Sequence, residues 1–178
     1  MNLSYCLTQL SSNAAAVQRL VETVRRDQAC WRPGEDDWSI LEVVNHLLDE
    51  EREDFRARLR HLLSGSVEPW PPIAPREWVT ERDYNHRDLN ESLAGYLHER
   101  QGSLDWLAQL SGVEWQARYR HPPLEGLSAG DLLASWVAHD LLHLRQLVEL
   151  KWAYGRVQAA PYAPDYAGDW QGLIPQRH

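Results

Sequence analysis

The stretch Trp136-Val-Ala-His-Asp-Leu-Leu-His-Leu-Arg-Gln-Leu147 sets two histidines, His139 and His143, one turn apart inside an otherwise apolar helical pattern. Side chains at i and i+4 lie about 5–6 Å apart at Cβ on one helix face, so two imidazoles can converge on one ion. Counting about 100° per residue from Leu132, His139 falls at about −20°, His143 at about +20° and Leu150 at about 0°, with Trp136 and Gln146 to either side. Both histidines therefore point inward. Two buried imidazoles without partners would leave polar nitrogens unsatisfied, at about 1–3 kcal/mol each. The plainer alternative is chance: eight histidines in 178 residues produce close pairs. The pair alone leaves a metal clamp and a satisfied core pair both open.

Working outward, three more helical stretches share this periodicity, and no strand-period run or internal repeat accompanies them. Leu3, Leu7, Leu10, Ala14, Val17, Val21 and Val24 form a heptad stripe, predicting a first helix over 3–26. Arg32-Pro33-Gly34 breaks the chain. Ser39 with Glu42 makes a capping box opening a second helix over 39–63, its stripe carried by Ile40, Val44, Leu47, Phe55, Leu59 and Leu62. Asp88 with Glu91 starts a third over 88–110, through Leu89, Leu93, Tyr96, Leu97, Leu104 and Leu107, and Ser128 with Asp131 caps a fourth over 129–154. The connection from Gly65 to about Arg87, with four prolines and two tryptophans, is long for a compact domain. The fold expected is all-α: an up-down four-helix bundle over 1–155 with a long crossover between the second and third helices. The tail 156–178, with Tyr162, Tyr166 and Trp170 among prolines, is expected to pack on the bundle surface.

Composition sets the outer bounds. At 43% hydrophobic and 25% charged, the chain is globular, and its net charge of −8 argues against a nucleic-acid partner, which needs a basic stripe. No signal peptide or membrane span is legible, so a cytoplasmic protein is expected, with Cys6 and Cys30 as free thiols.

A third ligand is sought on the second helix, where His46 lies about 150° from the centre of the apolar stripe. Periodicity puts it at a boundary among acids, where a surface histidine and a ligand lining a cavity are alternatives. Here the residues carry a resemblance. Trp38-Ser-Ile-Leu-Glu-Val-Val-Asn-His46-Leu and His139-Asp-Leu-Leu-His143-Leu-Arg-Gln146 resemble the second- and fourth-helix signatures of the DinB/YfiT-like family. Leu110-Ser-Gly-Val-Glu-Trp-Gln-Ala-Arg118 and His121-Pro-Pro-Leu-Glu-Gly126-Leu-Ser resemble its third connection, so the likeness spans about residues 5 to 152. It implies a four-helix bundle, usually homodimeric, with a three-histidine site for a divalent metal, the ligands falling on His46, His139 and His143.

Three imidazoles leave a tetrahedral ion one open position, the arrangement of a catalytic zinc site. Zinc or nickel suits this donor set best; iron, cobalt and copper are compatible. Weaker candidates surround the triad. Asp140 stands where a metalloprotease motif holds its general base, one methylene short. Glu50 is either an acceptor for a ligand's free N–H or a solvated face charge, and the latter is the plainer reading. Gln146 is placed to hydrogen-bond inside the pocket, and Trp136 to wall it. Arg100 and His121 match recurring positions, although a surface ion pair and a turn residue explain them equally well. Three functions stay open: a metal-dependent enzyme, either a thiol-cofactor S-transferase or isomerase with a small thiol substrate, or a hydrolase; a non-catalytic metal-binding or stress-sensing protein; and a bundle without a physiological metal.

Overall fold

The computed structural model describes residues 1–168, and among them seven α-helices and no strand are found. Helix α1 (Leu3–Val21) is capped by Asn2, whose side chain accepts from the Tyr5 amide at 3.0 Å. It stops short of residue 26. β-branched Val21, Thr23 and Val24 are stiff at χ1, and the chain turns into α2 (Arg26–Ala29), which buries Ala29 in the core. The second bundle helix is two segments, α3 (Ile40–Glu53) and α4 (Phe55–Leu63), broken at Asp54, whose φ of −113° and ψ of −96° leave the helical region. The Ser39 and Glu42 capping box opens α3, with both of its reciprocal bonds present. The connection after α4 carries α5 (Pro75–Glu81) and a 3₁₀ turn, Tyr84–His86.

The third bundle helix is α6 (Leu89–Ala108), capped by Asp88, and the fourth is α7 (Ala129–Ala159), capped by Ser128 with Asp131. Helix α7 runs past Gly155, because one glycine costs a helix only about 1 kcal/mol. It ends where Pro161 holds Ala160 in extended backbone at ψ 138°. Beyond it Tyr162 and Tyr166 are exposed, so residues 160–168 do not form the packed tail expected. Trp170 lies outside the described residues.

Helix α1 packs on α6 and α7, and α3–α4 packs on the same two, so the order around the bundle is α1, α6, α3–α4, α7. Contacts give the directions. Asn45 meets Ser92 and Arg56 meets Ser103, so α3–α4 and α6 run parallel. Asn13 meets Asp140 and Lys151 meets the Leu20 carbonyl, so α1 and α7 are parallel too. The pairs α1 with α6 and α3–α4 with α7 are antiparallel. Strict up-down alternation is not kept: α6 starts beside the start of α3, and residues 64–88 carry the chain back over a helix length of roughly 35 Å.

That returning segment covers α3. Arg82 and Tyr84 donate to Asp49 at 2.7 and 2.6 Å, and Arg87 donates to Asn45 at 3.0 Å. Twelve of the fourteen residues of α3 are consequently buried. The helix has no solvent face over its first three turns, and His46 and Glu50, read as boundary and surface positions, are inside.

The apolar core has two halves. One gathers Val17, Val44, Leu93 and Leu147, the other Leu10, Leu59, Leu107 and Trp136. Between them lies a polar waist. Arg100, 2% exposed, donates bidentately to Asp140 at 2.6 and 2.8 Å, to Glu51 at 2.6 Å and to the Leu10 carbonyl at 3.0 Å. Ser103 and Trp136 complete Glu51 at 2.7 and 2.9 Å. The expected surface ion pair at Arg100 is thus a buried clasp joining all four bundle helices. On α7, Leu133 and Val137 are buried, whereas Leu141, Leu142 and Val148 are exposed. No described helix is long and apolar enough to cross a membrane.

Candidate metal centre

The triad occupies one side of the polar waist. Helix α3 presents His46, and α7 presents His139 and His143 one turn apart. The Nε2 atom of His139 lies 3.3 Å from that of His46 and 3.1 Å from that of His143. One nitrogen from each ring falls within 4.8 Å of the others. Nitrogens 2.0–2.1 Å from a shared tetrahedral ion would lie about 3.3 Å apart.

The second nitrogens of the rings fix what the first can do. His143 Nδ1 donates to Gln146 Oε1 at 2.8 Å, which leaves the Nε2 lone pair facing the centre. Burial, with the other two histidines adding to it, pushes the His46 imidazole down to about 2. Burial and His143 push His139 down to about 3, and burial lowers His143. All three are neutral at pH 7, and three neutral imidazoles turned toward one point have too few protons to satisfy each other there. A cation satisfies them all. The donor set therefore fits a divalent ion, and among the described residues no fourth histidine, cysteine or carboxylate joins the group.

Aromatic rings wall the centre. Trp38 lies 5.0 Å from the His46 ring and stacks parallel to His143 at 6.4 Å; Phe55 sits 5.1 Å from His139 and stacks on Trp136. Trp136 thus walls the site through Phe55. On the open side, His143 and Gln146 line a pocket of about 610 Å³ with Asp36, Asp37, Trp38 and Arg76. Sequence reasoning singled out none of Asp36, Asp37, Arg76, Trp38 or Phe55 as site residues. The one available signal was position: Asp36-Asp37-Trp38 immediately precedes the Ser39 cap of the His46 helix.

Asp140 is excluded as a general base. Its carboxylate points about 100° away from His139 around α7 and is held by Arg100 and Asn13. Glu50 is no solvated charge: it is 4% exposed, with Oε1 3.8 Å from His46 Nδ1. His121 donates to the Val67 carbonyl at 2.6 Å and pins two connections together, as a turn residue does.

A helical bundle with three inward imidazoles beside an open pocket defines a class, and comparison with known proteins identifies it. The family profile of the DinB superfamily matches residues 9–147, and the chain belongs to that superfamily. Among solved structures it is similar to YfiT from Bacillus subtilis, described as a probable metal-dependent hydrolase with an unusual four-helix bundle topology. That likeness has a TM-score of 0.76 at 21% identity and covers 86% of this chain and 87% of that one. No curated protein matches the sequence.

Proposed function

We propose that this protein is a metal-dependent enzyme of hydrolytic type, with His46, His139 and His143 holding one divalent ion whose open position faces the pocket beside Gln146. The observation that carries this reading is the convergence of three neutral imidazoles, His46 buried and His139 and His143 half-buried, on one point beside an open pocket that His143 lines. An ion held there would supply Lewis acidity and lower the pKa of a water or thiol in its open position. Gln146 fixes the His143 tautomer. Trp38 and Phe55 exclude water from behind the rings, while Asp36, Asp37 and Arg76 meet the polar groups of a substrate at the rim, where either carboxylate can accept a proton. Zinc or nickel suits the all-imidazole donor set best. The description of YfiT as a probable metal-dependent hydrolase supports the assignment at the level of fold.

One observation favours a second chemistry. The pocket, at about 610 Å³, takes far more than a water molecule. A small-molecule thiol entering it would reach the open position, which suits an S-transferase or isomerase. A purely structural or sensing role needs no open position at all, since structural zinc sites close the coordination sphere with a fourth protein ligand.

Cobalt-substituted protein tests the reading. The hydrolase assignment expects cleavage of a panel of small esters and amides without added thiol, lost in His139→Ala. Turnover only with thiol, alongside a new sulfur-to-cobalt charge-transfer band, would shift the assignment to S-transfer. Included in the proposal is a twofold dimer using the exposed α7 face around Leu141, Leu142 and Val148, supported by the usual assembly that the family resemblance implies.

A further inference from the structure

Each imidazole in a metal site needs a partner for its other nitrogen, because that bond fixes tautomer and ring orientation. His143 has Gln146. His46 has none: its Nδ1 is buried and without a hydrogen bond. Facing it at 3.8 Å is Glu50 Oε1, likewise buried and unpartnered. A ring or carboxyl shift of about 0.8 Å would bring the two into hydrogen-bond range.

Asp54 is the carboxyl beside Glu50, and it leaves Glu50 Oε1 without a partner. Among the described residues, the guanidinium at this carboxyl pair is that of Arg58, 2.9 Å from Asp54. Glu50 and Asp54 therefore share one cation between two buried carboxyls, and a divalent ion one imidazole away would bring the additional positive charge. Their place on α3 is fixed by sequence. Glu50 is one turn beyond His46, on the same face, and the helix breaks at Asp54 one turn further on.

We propose that Glu50 is a positioning residue: it accepts the Nδ1 proton of His46 and so turns the Nε2 lone pair toward the ion. This rests on the metal reading above. The test is zinc affinity by chelator competition together with nitrogen-15 NMR of the histidine rings in the zinc-loaded protein. In Glu50→Leu, zinc affinity should fall about 10–100-fold and the protected His46 Nδ1–H signal should disappear. Glu50→Gln keeps an acceptor oxygen and should recover most of the affinity with a shifted Nδ1–H signal. Glu53→Gln, on the exposed end of the same helix, should change neither. A Glu50→Leu protein that binds zinc within twofold of wild type, or a Glu50→Gln protein with an unshifted Nδ1–H resonance, would overturn the assignment. Should Glu50→Leu fail to fold by circular dichroism, the Glu50→Gln resonance decides alone. A wild-type protein that binds no zinc would remove the metal reading itself, which is a different failure from wild-type binding that ignores Glu50.

Discussion

Arg100 reaches acceptors on three other helices, and its removal would strand Glu51 and Asp140 in the polar waist. Breaking one partner out of a buried ion network costs about 3–5 kcal/mol, so Arg100→Met should lower unfolding free energy by that order, measured by urea denaturation. A loss below about 1 kcal/mol would mean the clasp is compensated elsewhere. The triad has a pH signature of its own. His46 and His139 titrate at about 2 and 3 when folded, against about 6.5 in the unfolded chain. Between those values the unfolded state binds more protons, so the metal-free protein should lose stability as pH falls from about 6.5 toward 3. Glu50, pushed up to about 9 by burial, gives the opposite slope between about 4.5 and 9. The difference between wild type and His139→Asn isolates the histidine contribution, and equal pH profiles for the two would contradict it. Little of this was legible in the sequence. The i, i+4 pair exposed His139 and His143, but the partners of Arg100 lie 40 to 90 residues away and no local pattern announces them.

At the scale of elements, the capping boxes at Ser39 and Ser128 marked the starts of α3 and α7 because their hydrogen bonds are local. The ends were less legible, since they depend on residues further along the chain. Helix α7 outlasts Gly155 by a full turn and stops only for Pro161. Nothing stands within 4 Å of a Cβ built on Gly155, and its backbone is helical. Gly155→Ala should therefore stabilise the protein by about 0.5–1 kcal/mol, read as a higher melting temperature. An unchanged or lower value would mean that the last turn is frayed. Helix α3 taught the converse lesson. Its hydrophobic stripe of Ile40, Val44 and Leu47 is buried, yet the opposite face is buried as well, because residues 64–88 fold back over it. Period-counting detects apolar coverage; it is blind to a face covered by arginine, tyrosine and asparagine hydrogen bonds.

The whole molecule places two parallel helix pairs around a polar layer, with the histidine triad at the layer's open side. The four bundle helices were legible in four stripes, whereas the short helices α2 and α5, the break at Asp54, and helix order and direction depend on contacts that periodicity does not carry. The exposed α7 face sets a prediction at this scale: light scattering should give a dimer, and Leu142→Arg should give a monomer that keeps its metal. A wild-type monomer at every concentration would count against the twofold assembly. The central claim, one ion held across α3 and α7, is tested most directly by native mass spectrometry of zinc-loaded protein beside His46→Ala. The account predicts one zinc per wild-type chain and none retained by His46→Ala at the same free zinc. Full occupancy in His46→Ala, or none in the wild type, would contradict it.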